Sequence, residues 1–321
     1  METIAYVLEK AKQAKARVYP VAAITKGQKG GELCNYSALK AAGAVAVSDD
    51  GRPVENAAVM QAAMEQCFAL GLPVISHCED LDIIAGGIMH KGAVSRQLGV
   101  KGMDRSSEDS VTAREIALAE ATGTQIHIAH VSTKGSVGII RSAKQRGVQV
   151  TCESAPHYML LTDKELLRRD ANWRMNPPLR EEEDCQAVID GFADGTIDAM
   201  ITDHAPHTQE EKAVFETAPN GIIGLETSFA AACTALVASG RISLEKLIAL
   251  MSVNPRRILA LPGGHIALGE PADLVLLDPQ EKWVFTKADI GSKACNTPFL
   301  GTEFTGRVRC TILEGSITHQ L

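Results

Sequence analysis

The sequence predicts an α/β protein built on a TIM-like (β/α) barrel, with about six of the eight units that a closed barrel of this type needs. Three observations predict this fold. Short apolar runs recur along the first two thirds of the 321 residues, helical patterns separate most of them, and a polar cluster follows each run. Apolar runs without polar alternation are typical of strands buried on both faces. Alternation of such runs with helices indicates parallel strands.

The strand and helix signals follow one another in regular order. One helical segment, residues 2–16, precedes the first run. The six runs lie at residues 18–25, 44–50, 73–80, 125–133, 148–157 and 198–207. Helical patterns at residues 56–70, 108–122 and 137–146 each stop at a glycine, which is a common residue just past a helix end. Six βα units are therefore expected.

The last quarter of the chain changes character. Residues 225–239 and 243–261 have helical patterns, whereas residues 272–278 and 307–315 are β-like and flanked by glycine turns. We therefore predict two domains. Residues 1–262 would form an incomplete barrel, and residues 263–321 a small, partial β-sandwich segment with a C-terminal tail.

Composition excludes several classes of function. Apolar residues make up 45% of the chain, the formal net charge is −7, and no block of lysine and arginine stands out, which argues against a nucleic-acid partner. No apolar run approaches the roughly 18 residues of a membrane span, and the N-terminus lacks the pattern of a secretory leader, so a cytoplasmic location is expected. The eight cysteines contain no CxxC pair and are expected to be buried free thiols.

Metal-competent side chains concentrate at the predicted strand ends. Five of the six strands end in histidine or aspartate, and the carboxyl ends of parallel strands meet on one rim. These residues are Asp49, Asp50, His77, His127, His130, His157, Asp203, His204 and His207. Imidazole and carboxylate without paired thiolates suit catalytic zinc, and iron, cobalt or manganese less well.

Several motifs make the chain resemble the type I dihydroorotases, metal-dependent cyclic amide hydrolases of the amidohydrolase superfamily. In order, these motifs are SDDG (48–51), HCED (77–80), HVST (130–133), PHY (156–158), NPPLR (176–180), TDHAPH (202–207), GIIGLET (221–227) and NTPF (296–299). The segment TDHAPH followed by Glu211–Lys212 is the most specific of them. The resemblance extends over essentially the whole chain.

The resemblance implies roles for individual residues. Asp50, rather than Asp49, would bridge two zinc ions, and His77 and His130 would bind the more buried one. Asp203 would bind the other ion and act as general base, then general acid. The substrate would be held by Asn176, His207 and the backbone around Asn220 and Gly221.

Other residues have structural interpretations. His127 is expected to pack between barrel and helix, His157 to shape a turn, and His204 to support a ligand through a hydrogen bond. Arg180 could anchor a loop or bind an anion, and the structural role is preferred. His90, His265 and His319 are expected in loops or on the surface.

One element of the family pattern is missing from this sequence. The resemblance implies an N-terminal His-x-His that binds the second zinc ion, yet His77 is the first histidine of the chain. Met1 is therefore expected to lie well inside the barrel of a longer parent, through a misplaced start, a real truncation or conversion to a non-catalytic relative. At most one tightly bound metal ion and weak activity are then expected.

Three functions compete at this point. The first is reversible hydrolysis of dihydroorotate to N-carbamoyl-L-aspartate in pyrimidine synthesis. The second is hydrolysis of another cyclic amide, as in allantoinase or dihydropyrimidinase, although those relatives normally place lysine where Asp50 stands. The third is a non-catalytic partner of aspartate carbamoyltransferase. A small-molecule substrate and either a homodimer or aspartate carbamoyltransferase as partner are expected.

Overall fold

The computed structural model describes all residues from 1 to 321 and has a parallel α/β architecture, as predicted. Six short strands lie side by side, all parallel, in chain order. They are β1 (Val21–Ala22), β2 (Ala46–Val47), β3 (Ile75–Ser76), β6 (Ile126–Ile128), β7 (Val150–Ser154) and β8 (Ala199–Met200). A single bridge between Val47 and Val74 joins the β1–β2 pair to the other four strands. Each of the six predicted runs therefore contains a strand.

Helices alternate with these strands along the chain. The N-terminal ones are α1 (Glu2–Ala11), α2 (Tyr36–Ala41), α3 (Ala57–Ala69), α4 (Leu81–Ile84), α5 (Ala93–Leu98), α6 (Ser106–Thr122) and α7 (Lys134–Gln145). Their ends follow from local chemistry. The Asn56 side chain accepts hydrogen bonds from the first turn of α3, and Thr133 caps α7 in the same way. Gly123 ends α6 in the left-handed conformation that glycine adopts without strain.

The chain continues through less regular helices. These are α8 (His157–Leu160), α9 (Glu182–Asp194), α10 (Ser228–Ala232), α11 (Leu244–Ile248) and α12 (Asn254–Ile258). A π-helical turn extends α10, and another joins α11 to α12, so both predicted helical regions near residue 240 are present. The sequence patterns did not predict α9, although its three acidic residues in the first turn favour a helix N-terminus.

Two smaller sheets complete the fold. Strands β4 (Met89–His90) and β5 (Gly102–Met103) form a parallel pair that the sequence did not predict. Near the C-terminus, β9 (Leu274–Val284), β10 (Glu303–Leu313) and β11 (Ser316–Gln320) form an antiparallel sheet in the order β11-β10-β9. The two β-like tail segments were therefore predicted correctly as strands.

The main hydrophobic core lies between the six parallel strands and helices α3, α6 and α7. Ile126 and Ile128 of β6 are fully buried there, in the same core as Val137 and Ile140 of α7. A second core joins β4 to the start of β10 through Met89, Phe285, Phe299 and Phe304. No helix combines the length and the apolar composition needed to cross a membrane.

Candidate functional site

Three metal-competent side chains converge at the carboxyl ends of β2, β3 and β6. The His77 Nδ1 and His130 Nε2 atoms lie 2.8 Å apart, and Asp50 Oδ1 lies 3.3 Å from the first and 3.2 Å from the second. We call Asp50, His77 and His130 the metal cluster. All three donor atoms lie within 4.8 Å of one another, so one ion can reach them together. Asp50 reaches the cluster from the rim, whereas both imidazoles are buried.

The adjacent Asp49 has a different task. Its carboxylate accepts hydrogen bonds from the Ile24 and Thr25 backbone N–H groups, at 2.8 and 3.1 Å, and from the Thr25 hydroxyl. Asp49 therefore fixes the loop after β1 and is not one of the three grouped donors. The structure distinguishes the two neighbouring aspartates, and it places the chosen one, Asp50, in the cluster.

Backbone conformation marks two of the predicted site residues. His130 and Asp203 both adopt positive φ angles, 33° and 48°, which residues other than glycine rarely do. Such conformations cost free energy and persist where surrounding contacts impose them, often at functional sites. His130 lies two residues past the end of β6 and Asp203 three residues past the end of β8, where the chain turns at the rim.

The charges of the cluster depend on one another. Burial raises the pKa of the Asp50 carboxyl, but hydrogen bonds from His130 and His77 outweigh it and hold that pKa below its usual range. Burial lowers the pKa of His77, but Asp50 and Glu79 raise it to about 9. Two imidazoles 2.8 Å apart cannot both carry a proton between them. The arrangement suits a cation other than a proton.

Asp203 lies near this cluster without joining its three donor atoms. Burial raises the pKa of the Asp203 carboxyl, the charge on His130 opposes this, and the negative charges of Asp50 and Glu153 raise it further. A carboxyl group whose pKa is raised towards neutrality is suited to take up and return a proton.

Glu79 is a site residue that the sequence analysis missed. Its buried carboxylate lies 3.4 Å from His77 Nε2 and accepts a hydrogen bond from Asn176 Nδ2 at 3.0 Å. One carboxylate thus contacts both a predicted metal ligand and a predicted substrate ligand. The signal was present in the sequence, since Glu79 stands two residues after His77 in a strand-end motif.

The loop after β8 carries the remaining predicted substrate ligands. His207 Nε2 donates to the Asn220 carbonyl at 3.0 Å, and His207 Nδ1 lies 3.4 Å from Glu211. The N–H of Gly221 donates to the Arg174 carbonyl, and its own carbonyl accepts from Asn296. The backbone groups of Gly221 are therefore already engaged. Its φ of 133° and a position where a Cβ would lie 2.6 Å from that of Ala205 explain why glycine stands there.

Three buried polar atoms in this region have no hydrogen-bond partner within the protein. They are Asn176 Oδ1, Asn220 Oδ1 and His157 Nε2. Buried polar atoms are usually satisfied, because an unpaired one costs roughly 1–3 kcal/mol. The two amide oxygens are acceptors, so a ligand with N–H donors would complete them.

Two structural expectations for histidines were wrong. His90 is only 1% exposed, in β4, with Arg105 and Arg180 nitrogens each 3.4 Å from its ring nitrogens. His127 does not pack towards a helix. It contacts the Thr151 hydroxyl at 2.8 Å and Glu153 at 3.0 Å, on the strand face opposite to Ile126 and Ile128. The local sequence pattern could not predict the surroundings of these two histidines, because their contact partners are distant in sequence.

A second polar cluster lies beside the metal cluster, with three buried and two partly exposed members. We call His90, Arg105, Glu108, Arg180 and Glu181 the arginine cluster. Arg180 lies 3.3 Å from the Glu108 carboxylate, which also accepts hydrogen bonds from the Ser132 and Thr133 backbone. Arg180 therefore anchors the loop after β6, as expected. The neighbouring acidic group of Glu181, Glu183 and Asp184 is paired with Arg105.

Comparisons with known proteins agree with one another. A family model described as "Dihydro-orotase-like" matches residues 2–136. A dihydroorotase of Geotalea daltonii is 49% identical over 317 residues, covering 98% of this chain and 74% of the relative. One of Desulforapulum autotrophicum is 51% identical over 317 residues, with the same coverage of 98% and 74%.

Solved structures give the same picture of the fold. The L-hydantoinase (dihydropyrimidinase) of Arthrobacter aurescens matches with a TM-score of 0.81 and 25% identity, covering 99% of this chain and 74% of that chain. A D-hydantoinase matches with a TM-score of 0.85 at 21% identity, covering 99% of this chain and 73% of that chain, which supports the fold alone.

Proposed function

Because the chain belongs to the dihydroorotase family, we propose that it catalyses the reversible hydrolysis of (S)-dihydroorotate to N-carbamoyl-L-aspartate, a step of pyrimidine synthesis. The observation that carries this proposal is the metal cluster near the partly buried carboxyl of Asp203. Metal-competent side chains and a proton carrier at one strand edge are what hydrolysis of a cyclic amide needs.

We propose zinc as the ion, bound by Asp50, His77 and His130. Imidazole and carboxylate donors fit zinc, and two facing imidazole nitrogens with a carboxylate form a set that a divalent cation completes. When bound, such an ion supplies Lewis acidity, which polarises a carbonyl and acidifies water. Glu79 faces the other nitrogen of His77 and would hold that ring in the tautomer that leaves Nδ1 free for the metal. A second ion bound by Asp203, with Asp50 bridging the two, remains a prediction from the resemblance.

Asp203 would carry the proton through both halves of the reaction. Its carboxylate accepts a proton from the attacking water and then passes it to the ring nitrogen, as the bond between that nitrogen and the carbonyl carbon breaks. The raised pKa of Asp203 brings the two protonation states closer in free energy near neutral pH. The same residue can therefore act as base and then as acid.

The substrate would lie between Asn176 and Asn220. Their unpartnered amide oxygens can accept hydrogen bonds from ring N–H groups, and Glu79 orients the Asn176 amide. His207 donates to the carbonyl of Asn220 and, as the resemblance implies, would help to hold the substrate. Gly221 would contribute through its conformation, since its own backbone groups are engaged.

We further propose that the six parallel strands are part of a (β/α) barrel with six of eight units, spanning residues 1–262. Residues 263–321 would form the partial β-sandwich segment. The chain spans about three quarters of the length of the relatives that it matches. A homodimer or aspartate carbamoyltransferase remains the proposed partner.

A substrate panel tests the function. The purified chain with added zinc is assayed with dihydroorotate, hydantoin, dihydrouracil and allantoin, since the hydantoinase-like fold makes the other rings the alternative. We expect weak, zinc-dependent turnover of dihydroorotate, and a fall in kcat of roughly 10²–10⁴-fold in Asp203→Asn with zinc retained by the metal cluster. Turnover of another ring instead of dihydroorotate, or no zinc-dependent turnover together with co-purification of a transcarbamoylase, would contradict the proposal.

A further inference from the structure

Lys212 is a buried ammonium in the loop after β8. The residue is only 7% exposed. Its Nζ donates to the carbonyl oxygens of Pro219 at 2.9 Å, Gly221 at 3.1 Å and Arg174 at 3.3 Å. All three partners are backbone carbonyls, and no carboxylate is among them. A lysine has three N–H donors, so this geometry uses its full capacity.

Placing a charge here has an evident cost. Burial, together with the nearby charge of Arg174, lowers the pKa of Lys212 to about 8, although the charge of Asp170 opposes both. Buried charges are normally paired with an opposite charge, because desolvation is expensive. An apolar side chain of similar length could fill this space without that cost. The ammonium therefore supplies something that filler would not, namely three convergent hydrogen bonds.

The three carbonyls belong to two separate segments of the proposed substrate site. Pro219 and Gly221 flank Asn220, and Arg174 lies two residues before Asn176. The Gly221 N–H donates to the same Arg174 carbonyl at 2.9 Å. Lys212 thus ties the segment that carries Asn176 to the segment that carries Asn220.

Asn296 holds the same loop from its other side. Its amide nitrogen donates to the Gly221 and Ala205 carbonyls, both at 3.0 Å, and its oxygen accepts from the His207 N–H at 3.1 Å. None of these three hydrogen bonds of the Asn296 side chain reaches the segment that carries Arg174. Among these residues Lys212 is therefore the side chain that joins the two Asn-bearing segments.

We propose that Lys212 is a positioning residue that fixes Asn176 and Asn220 relative to each other, so that both amide oxygens meet one cyclic substrate. Lys212 does not touch the substrate and acts through the backbone that it binds. This inference rests on the proposed function for the identity of the substrate. That Lys212 holds the two segments together can be tested without any enzymatic activity.

The test compares Lys212→Met with Lys246→Met in the full chain. Lys246 also donates to a backbone carbonyl, that of Ala193 at 2.7 Å, but this bond joins α11 to α9 and involves neither Asn-bearing segment. Hydrogen–deuterium exchange, zinc content and kinetics with dihydroorotate are measured for both. We expect Lys212→Met to exchange faster at residues 174–178 and 218–222, and to raise KM roughly tenfold or more, with zinc content unchanged. Lys246→Met should leave both segments and KM as in the wild type.

The outcomes separate this inference from the proposed function. If the wild type does not turn over dihydroorotate, the function is refuted, and faster exchange confined to the two segments still supports Lys212. Unchanged exchange and KM in Lys212→Met would overturn the inference, as would loss of kcat and zinc with normal exchange. If Lys212→Met fails to fold, Lys212→Gln, which keeps N–H donors, should fold with a smaller change in the same segments. Failure of both to fold would show a global role and overturn the inference.

Discussion

The metal cluster and the arginine cluster lie side by side, and both bury titratable groups, yet only one of them is complete. In the arginine cluster, Glu108 accepts hydrogen bonds from two backbone N–H groups and faces Arg180, so its charge is satisfied within the protein. In the metal cluster, two imidazole nitrogens face each other across 2.8 Å. A buried polar cluster that the protein satisfies by itself is structural, whereas one that needs a further cation indicates function.

Removing a ligand from the metal cluster should have the largest effect. We expect His130→Ala to lower both zinc content and turnover of dihydroorotate, the latter by at least about 10³-fold, because two donors cannot replace three. Metal analysis and steady-state kinetics measure this. His265→Ala, on an exposed histidine, is the control. If His130→Ala keeps both its zinc and its ring-opening activity, the metal cluster would not be the functional one of the two clusters.

Breaking the arginine cluster should reduce stability instead of metal binding. Arg180→Ala leaves Glu108 buried without its cation, and we expect the free energy of unfolding to fall by about 3 kcal/mol. Urea denaturation measures the change, and zinc content should stay near one equivalent. Arg146→Ala, which breaks an exposed pair with Glu120, should cost less than about 1 kcal/mol. A loss of zinc in Arg180→Ala would mean that the two clusters act as one.

The arginine cluster should also make the protein sensitive to acid. Burial, Arg180 and Arg105 lower the pKa of His90 to about 4, below the value of about 6.5 in an unfolded chain. Between these values the unfolded state binds more protons, so stability is full above pH 6.5 and falls as the pH drops towards 4. His90 contributes on the order of 3 kcal/mol to this loss.

Substitution of His90 isolates that contribution. Unfolding free energies at pH 7 and pH 4.5 should differ less in His90→Asn than in the wild type. His319→Asn, at an exposed position of β11, should keep the wild-type difference. An equal pH dependence in His90→Asn and the wild type would show that other groups cause the acid sensitivity.

The smallest expected effect concerns Glu79, which borders the metal cluster. Glu79→Gln keeps the shape but removes the charge that faces His77, and we expect zinc affinity to weaken by roughly 10–100-fold. Competition with a chelator measures the affinity. Glu65→Gln, on the exposed face of α3, should not change it. If Glu79→Gln binds zinc as tightly as the wild type, Glu79 orients only Asn176 and does not support the metal ligand His77.

The accuracy of the sequence predictions differed between these regions for a physical reason. Each residue of the metal cluster follows its own strand, and parallel strands bring their carboxyl ends together, so local patterns predicted that strand-end histidines and aspartates meet on one rim. The choice of Asp50, His77 and His130 among them came from the family resemblance. The arginine cluster joins β4, α6 and α9, of which the patterns predicted only α6. His90 was therefore placed wrongly on the surface.

The sequence by itself determined the parallel α/β order, the strand ends and the family, because period, glycine stops and motif order are local properties of the chain. Only the tertiary structure decided that Asp49 binds the backbone of the loop after β1, that Glu79 contacts both His77 and Asn176, and that Lys212 is buried among carbonyls. These facts depend on which side chains compete for the same donors and acceptors, and that competition exists only once distant segments are packed together.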